Sequence, residues 1–442
     1  MSNPTRFLLS EAQAGIGPND QPSFFRVRQT FPRPLETDLA AAVRRELKPL
    51  LAKVLPGGRI AVTAGSRGVA NISAVLAECV LLLKEHGAEP FIVPAMGSHG
   101  GATAEGQLGM LETLGVTEAA MGCPIRSSME VIQVGVTETG FPVFQDRIAS
   151  EADGVLVINR VKPHTMFVDR VESGLCKMMV IGLGKQAGAS KIHQQALKTE
   201  MGRMILEATG IILAAGRPRF VGGLALVENA YKETAIVKGI SMESAEGLID
   251  AESALLKRAY QLMARLPFDH LDGLIVDEMG KNISGSGMDT NVTGKKDGMT
   301  SPSIGAIYVR DLTPETKGNA TGVGFADIIP RRMFSQIDLN ATYMNAFTAK
   351  RLQGGKIPLL AETELQAMQV LLGFRQAEQP QSARVAWIRN TSRLEEFWAS
   401  EALGEEVLAN DTLEILAGPL PLVYDGDHNL IEPRLERGLA AS

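Results

Sequence analysis

Three apolar, strand-like runs each end in a short polar segment, and this repeated pattern constrains the fold more than any other feature. The runs and the polar segments that follow them are 60–64 (IAVTA) before 65–68 (GSRG), 91–95 (FIVPA) before 97–101 (GSHGG), and 154–159 (GVLVIN) before 162–164 (KPH). Helical patterns separate the runs, which predicts a βαβ-type layered domain with a largely parallel sheet. Ligands bind beyond the carboxyl ends of the strands in such sheets. The three polar segments are therefore predicted to share one site.

The length of 442 residues predicts more than one domain. We place a boundary near 267–272, which gives an N-terminal catalytic and cofactor-binding α/β domain over 1–268 and a smaller C-terminal α/β domain over 269–442. A cleft between two layered domains of this kind is a usual place for a small-molecule site. Two local expectations are a helix capped by Asn71 and, near the C-terminus, a helix over 392–402.

Composition and charge narrow the class of protein. Apolar residues make up 45% of the chain and charged residues 21%, as in ordinary globular proteins, and the formal net charge is −6. This charge, without a basic stripe that contains aromatics, argues against a nucleic-acid partner. The three cysteines are too few and too scattered for a disulfide framework or a zinc knuckle, which fits a reducing compartment. Neither a signal-peptide pattern nor an apolar run of about 18 residues is found, so we expect a cytoplasmic protein with no membrane partner, and an oligomer stays open.

His99 and His164 are the candidate acid and base. Histidine has an ordinary pKa of about 6.5, so a pair can supply one proton donor and one proton acceptor near neutrality. Each could instead be a turn histidine that bonds only to the backbone, but their shared position after strands favours a function. Arg67 is a candidate to bind a carboxylate or a phosphate through its planar guanidinium, with a plain surface charge as the alternative.

A second group of candidates lies in the segment 173–193. Lys177 stands in a mostly apolar stretch. A lysine there can be a core residue that keeps its amine at the surface, an amine of lowered pKa, or a point of covalent attachment. Cys176 beside it is better explained as a small buried side chain than as a nucleophile. His193 can ligate a metal through its imidazole, which suits nickel, zinc or copper.

The glycine-rich loop over 280–291 is the loop richest in polar groups. Lys281, Asn282, Asp289 and Asn291 carry ammonium, amide and carboxylate groups, which can bind the hydroxyl groups of a substrate. A solvated turn is the alternative, but so long a glycine-rich loop favours a function.

The chain resembles the nickel-pincer lactate racemase superfamily. The resemblance rests on 97–99 (GSH), 163–164 (PH), 173–177 (SGLCK) and on His193, which follows Lys177 by sixteen residues. It implies a lactate racemase-like α/β fold and a nickel-pincer nucleotide, in which a pyridinium mononucleotide is joined to Lys177 through a thioamide and binds nickel through carbon and sulfur. The remaining roles that the resemblance implies are nickel ligation by His193, catalysis by His99 and His164, anion binding by Arg67, and cofactor contacts by Gly97, Ser98 and Ser173.

The resemblance implies a nickel-dependent racemase or epimerase of an α-hydroxyacid that works by reversible hydride transfer through an α-keto acid. Better-known members of the superfamily have an arginine after the first catalytic histidine where this chain has Gly100, and the polar 280–291 loop points to a polar or sugar acid as substrate. One alternative is a nicotinamide-dependent hydroxyacid dehydrogenase, which is disfavoured because 182–184 (GLG), followed at once by lysine, is not a dinucleotide fingerprint. The other is a non-catalytic binding protein of the same fold.

Overall fold

Two compact units make up the structure, a computed structural model that describes residues 16–66, 68–195, 200–348, 351–373 and 379–432, without the side chains of 193–195 and 432. The inserted unit is Pro32–Met263, and the discontinuous unit combines Met1–Phe31 with Ala264–Ser442. The division drawn from the sequence comes after residue 268 and assigns the first 31 residues to the N-terminal domain. The structure differs because a strand from these residues pairs with strands of the C-terminal part.

The described ranges contain strands of two to nine residues. In chain order they are β1 (Phe24–Gln29), β2 (Arg59–Ala64), β3 (Glu89–Pro94), β4 (Val131–Val136), β5 (Pro142–Asp146), β6 (Gly154–Arg160), β7 (Phe220–Glu228), β8 (Thr234–Ile240), β9 (His270–Val276), β10 (Ser303–Val309), β11 (Ile328–Pro330), β12 (Leu359–Ala361), β13 (Val385–Asn390), β14 (Arg393–Ser400), β15 (Leu413–Leu420), β16 (Val423–Tyr424) and β17 (Leu430–Glu432).

The helices alternate with these strands. They are α1 (Leu39–Leu51), α2 (Ile72–Glu85), α3 (Ala104–Thr113), α4 (Glu118–Met121), α5 (Arg147–Ser150), α6 (Leu175–Lys177), α7 (Lys185–Gln195), α8 (Met201–Ala215), α9 (Ala245–Leu262), α10 (Thr290–Thr293), α11 (Arg331–Phe334), α12 (Leu339–Thr348), α13 (Glu364–Gly373) and α14 (Gly404–Leu408). A π-helical turn, Met178–Gly182, continues α6, and a 3-10 turn, Gly100–Ala102, follows β3. None of the described helices is long and apolar enough to span a membrane.

A five-stranded sheet forms the centre of the inserted unit. Its strand order is β3-β2-β6-β7-β8, and all neighbours are parallel except β7 and β8. Helices cover both faces, so alternate residues of β6 enter two different apolar clusters: Val155 and Val157 one, Leu156 and Ile158 the other. Burial on both faces explains why this strand is an unbroken apolar run. Because β2 is parallel to both β3 and β6, the carboxyl ends of these three strands lie side by side at one edge of the sheet.

An eight-stranded mixed sheet forms the discontinuous unit, in the order β12-β11-β10-β9-β13-β14-β1-β15. The strands from β12 to β13 are parallel, whereas β14, β1 and β15 are antiparallel to their neighbours. Phe24 and Val27 of β1 are completely buried. The N-terminal strand is thus an interior strand of this sheet.

Two local predictions are wrong. The predicted helix over 392–402 is the strand β14, which pairs with β13 and β1. Its large side chains Leu394, Phe397 and Trp398 recur at three and four residues, as on a helix, but here they are buried on the two faces of a central strand. Asn71 does precede α2, yet it has a left-handed backbone (φ 59°) and its side chain makes no capping bond. Its amide nitrogen donates to Thr234 Oγ1 at 3.4 Å.

Candidate functional site

His99 follows β3, on a segment that glycines shape. Gly97 and Gly100 have left-handed backbones, with φ of 60° and 66°. A Cβ on Gly100 would lie 2.6 Å from the Gln107 backbone nitrogen, so no side chain, and no arginine, fits at this position without a shift of the backbone. His99 itself is exposed, and its Nδ1 bonds to the hydroxyl of Ser66, which follows β2. Two of the three predicted polar segments therefore meet.

His164 follows β6 in the same sheet and is held from three sides. Its backbone N–H donates to Glu172 Oε2 at 2.6 Å, and its ring lies 4.6 Å from the ring of Phe167, centroid to centroid. The Met166 backbone N–H donates to His164 Nδ1 at 3.1 Å. A ring nitrogen that accepts cannot also carry the proton, so the neutral ring has its proton on Nε2. The Glu172 carboxylate, almost completely buried, also accepts from the Tyr260 hydroxyl at 2.8 Å.

Lys177 ends the short helix α6 and is half-buried. The segment before it is tied to the strands: Ser173 pairs with Lys162 in an isolated β-bridge, and the Asn159 side chain donates to the Gly174 carbonyl at 2.8 Å. Cys176 is completely buried, and burial raises the pKa of its thiol well above the ordinary value. This agrees with a small core residue, because a nucleophilic cysteine needs a thiolate.

Behind α6 lies a buried carboxyl group that the sequence did not point to. Glu252 of α9 is completely buried, and its Oε2 accepts the Cys176 backbone N–H at 2.9 Å. Burial raises the pKa of this carboxyl to about 7, against the opposing effect of the N–H groups of Cys176 and Leu175. A Cβ on Gly174 would lie 2.3 Å from Glu252 Oε1, so the contact needs glycine at that position.

Two of the predicted residues lie partly or wholly beyond what can be described. Arg67 falls outside the described residues, so its role stays a prediction. The main chain of His193 is in α7, but its side chain lies outside the described part of the structure. Of the predicted cofactor contacts, Gly97 is buried, Ser98 is exposed and Ser173 is half-buried.

The predicted substrate loop, 280–291, belongs to the discontinuous unit. Lys281 and Asn282 are exposed; the Lys281 ammonium donates to Asn345 Oδ1 at 2.7 Å, and Asn282 Oδ1 accepts from Thr313 at 2.6 Å. Asp289 and Asn291 bond to each other, since Asp289 Oδ1 accepts from the Asn291 amide nitrogen at 2.9 Å. These last two side chains hold the loop and the start of α10.

Several residues of the site were missed from the sequence. Ser66 was noted only as a neighbour of Arg67, and Glu172, Glu252 and Gln107 carry no local motif that would single them out. Lys185 was noted only as a residue that interrupts a dinucleotide fingerprint. In the structure its side chain is completely buried. Such residues are recognised only from the folded structure. A buried charged side chain is paired, and here the partners are distant in sequence.

The described residues limit the kinds of metal site that this part of the chain can form. No group of three or more histidine, cysteine, aspartate or glutamate side chains there can hold a metal ion. The described residues therefore offer no conventional protein-only centre. A metal ion that is already bound by an attached cofactor can need only one further imidazole from the protein. The described residues are compatible with a metal site of that kind.

Comparisons with known proteins agree with a mixed α/β fold. A family model described as a domain of unknown function, DUF362, matches residues 62–252. No curated protein matches the sequence. The lactate racemase apoprotein from Thermoanaerobacterium thermosaccharolyticum is similar in structure at 13% identity, with a TM-score of 0.51 over 84% of this chain and 99% of that chain. A protein from Thermotoga maritima is 16% identical, with a TM-score of 0.48 over 64% of this chain and 72% of that chain. The similarity to the lactate racemase apoprotein confirms the predicted α/β, lactate racemase-like fold class.

Proposed function

We propose that this protein is a racemase or epimerase of an α-hydroxyacid. One observation carries the proposal: His99 and His164 follow β3 and β6, the two strands that flank β2 in one parallel sheet, and Ser66 at the end of β2 bonds to His99. Two oriented imidazoles at the binding edge of a sheet suit proton exchange with a hydroxyl group. The lactate racemase-like fold supports the same class of reaction.

The residues present fit a nickel-pincer nucleotide. Lys177 is the last residue of α6, and its side chain is half-buried, so the amine can be reached from solvent. This amine would bind the nucleotide covalently. His193 on α7 would supply an imidazole to the metal, and Gly97, Ser98 and Ser173 would line the nucleotide. The chemistry that the group supplies when bound is reversible acceptance of a hydride from the substrate Cα.

The chain's own contribution is proton transfer and positioning. His99 accepts the hydroxyl proton of one stereoisomer through Nε2, since Ser66 occupies Nδ1. His164 serves the other face; before Nε2 can accept a proton, the neutral ring must move its own proton from Nε2 to Nδ1, and this releases the bond from the Met166 N–H to Nδ1. The α-keto acid that this chemistry would produce is planar at Cα, so its two faces would be equivalent to the two imidazoles apart from the substrate tail. Arg67 would bind the substrate carboxylate or the nucleotide phosphate.

A polar substrate is the second part of the proposal. Lys281 and Asn282 present an ammonium and an amide at the exposed surface of the 280–291 loop. Groups of this kind select hydroxylated tails, because an analogue without hydroxyls would leave buried polar groups unpaired in the complex. We infer a polyhydroxylated or otherwise polar α-hydroxyacid, such as a sugar acid, rather than lactate. Asp289 and Asn291 would act by keeping this loop in place.

The cofactor assignment is tested by intact-mass and nickel analysis of protein made together with the cofactor-synthesis machinery. We expect a mass adduct and bound nickel in the unchanged protein and in Lys191→Ala, an exposed lysine of α7 that serves as control. Lys177→Ala should lose the adduct and the activity together while it stays folded. An adduct that persists in Lys177→Ala would overturn the assignment.

The reaction is tested on the loaded enzyme with lactate, malate, phenyllactate and aldonates in D₂O. Hydride transfer returns the original hydrogen to Cα, so inversion should proceed without deuterium at that carbon. We expect the aldonates to react fastest. Inversion with full deuterium incorporation would contradict hydride transfer, and a preference for lactate or phenyllactate would contradict the role of the 280–291 loop.

A further inference from the structure

A completely buried lysine joins the segment of His99 to the helix of His193. Lys185 is the first residue of α7, and none of its side chain is exposed to solvent. Its ammonium group lies 2.6 Å from the Pro94 carbonyl, 3.2 Å from Gln107 Oε1 and 3.0 Å from Asp146 Oδ2. The first two contacts are hydrogen bonds and the third is an ion pair, so the buried ammonium group has two acceptors and a counter-charge. Lysine is almost never buried to this degree unless it is paired.

The contacts of Lys185 enclose the segment that carries His99. Pro94 is the last residue of β3, where the segment begins. Gln107, itself completely buried, donates from Nε2 to the Gly97 carbonyl at 3.0 Å and to the His99 carbonyl at 3.4 Å. The same amide group accepts from Lys185 through Oε1, so the lysine fixes which way the Gln107 amide faces. Both ends of the segment 94–99 are thus held, directly or through one side chain, by one ammonium group.

The charge of Lys185 is balanced by the Asp146 carboxylate, which also accepts a backbone hydrogen bond. Asp146 ends β5 and is almost completely buried; its other oxygen, Oδ1, accepts the Ala149 backbone N–H at 2.8 Å at the start of α5. Burial lowers the pKa of Lys185, and the neighbouring Asp146 opposes that change. A buried ion pair of this kind is weak evidence for stability in itself, because an apolar pair can be equally stable. Stability alone therefore does not explain why this ion pair lies beside the segment of His99.

The backbone of Lys185 indicates that the side chain is used. Its φ is 53°, in the left-handed region that favours glycine or asparagine. The segment before it, 182–184, contains two glycines, so a lysine stands where the local geometry suits a smaller residue. Gly97 completes the junction, since its backbone N–H donates to the Gly182 carbonyl at 3.1 Å.

We propose that Lys185 is a positioning residue that sets the place of His99 and couples it to α7, the helix that carries His193. Lys185 is completely buried, so it acts through Gln107 and the Pro94 carbonyl. The inference rests on the proposed function for its catalytic consequence, but the positional effect on His99 exists whatever the reaction is. The same ammonium group would keep the proton-transfer residue and the metal-binding helix in a fixed relation.

The test uses two variants that break the connection in different ways. Gln107→Leu removes the bonds to the Gly97 and His99 carbonyls and leaves the ion pair in place. Lys185→Met combined with Asp146→Asn removes both charges together, so that no unpaired buried charge is created, and asparagine can still accept from the Ala149 N–H. Gln369→Leu is the matched control, a buried glutamine of the discontinuous unit whose Nε2 donates to the Ile16 carbonyl at 2.9 Å.

The first readout is the ring signal of His99 in full-length protein labelled at its histidines. The chain has six histidines, so the signal is assigned by its loss in His99→Gln. We expect both test variants to shift or broaden the His99 signal and to leave those of His86 and His270 unchanged, while Gln369→Leu changes none of the three. An unchanged His99 signal in both test variants, with lowered thermal stability alone, would overturn the proposal. This readout needs no substrate, so it is independent of the proposed reaction.

The second readout is the kinetics of the loaded enzyme on its best hydroxyacid. A misplaced acid–base group lowers the rate of the chemical step more than it lowers substrate binding, and a displacement of about 1 Å can cost on the order of 10²-fold. We expect kcat to fall on the order of 10- to 100-fold in both test variants with little change in KM. Unchanged kcat together with a displaced His99 signal would show that His99 is not the acid–base group, which overturns the proposed function and leaves the positional inference intact.

Discussion

Removing the charge of Glu252 should change the way in which stability depends on pH. This carboxyl is completely buried behind α6, and burial raises its pKa from 4.5 to about 7. Below pH 4.5 it is protonated in both the folded and the unfolded chain. Between these two values the folded chain keeps a proton that the unfolded chain has lost, so stability decreases as the pH rises. Above about 7 the difference is constant.

The size of the effect follows from the two pKa values. A difference of that size corresponds to about 3 kcal/mol of stability lost between pH 4.5 and about pH 7. Glu252→Gln is neutral at every pH, and its amide oxygen can still accept the Cys176 N–H. The variant should therefore gain up to about 3 kcal/mol relative to the unchanged protein between pH 5 and pH 8. For a unit of this length that is roughly 6–12 °C in the Tm of the inserted unit.

The measurement is thermal unfolding of both proteins at pH 5, 6, 7 and 8. Glu233→Gln is a suitable control, since Arg33 and Asn229 hold the pKa of Glu233 at about 2 and the carboxylate is ionised in folded and unfolded chains throughout this range. Its Tm difference from the unchanged protein should be constant. If the difference for Glu252→Gln is constant too, burial does not raise the pKa of Glu252, and the reasoning is refuted.

Three further predictions concern the site itself. His193→Ala should retain less nickel in metal analysis of the loaded protein, because an imidazole ligand is lost; unchanged nickel would exclude the ligand role. His99→Ala and His164→Ala should each lose on the order of 10²–10⁴-fold in both directions of inversion, as each direction uses both rings, and a nearly normal rate in either variant would refute the two-histidine mechanism. Gly100→Ala should lose roughly 2 kcal/mol or more in denaturant unfolding because of the close contact with Gln107, whereas Gly101→Ala, with the same left-handed backbone and open space around it, should lose only about 1–2 kcal/mol; equal losses would argue against the contact.

The sequence predicted the inserted unit well because its signals are local. Each of β2, β3 and β6 is a short apolar run with a polar segment after it, and the helix α3 begins after Thr103, whose hydroxyl accepts the Gly106 N–H at 3.0 Å. The discontinuous unit was harder. The strand β14 carries its large apolar residues at helical spacing, and only its two neighbours in the sheet make it a strand.

The site was predictable to the extent that its residues follow strands. His99 and His164 were predicted as candidates because each follows an apolar run, and the parallel sheet brings those strand ends to one edge; their catalytic roles stay a prediction. Glu252 and Lys185 were not found, since a buried charge is recognised by its partner and not by its neighbours in sequence. The bond between Ser66 and His99 also depends on the order of the strands, with β2 beside β3.

Because β1 is an interior strand of its sheet, it cannot be paired on both sides until much later parts of the chain have been synthesised. Arg26 of β1 bonds to Glu396 of β14, which is 370 residues later in the chain. At about 5–20 residues per second, a ribosome needs roughly 20–70 s to make the partner strand after β1 has emerged. The whole inserted unit can fold during that interval, while Phe24 and Val27, which are completely buried at the end, still have no sheet to enter. The eight-stranded sheet can therefore be completed only after most of the chain has been made, because β1 lies between strands that are synthesised last.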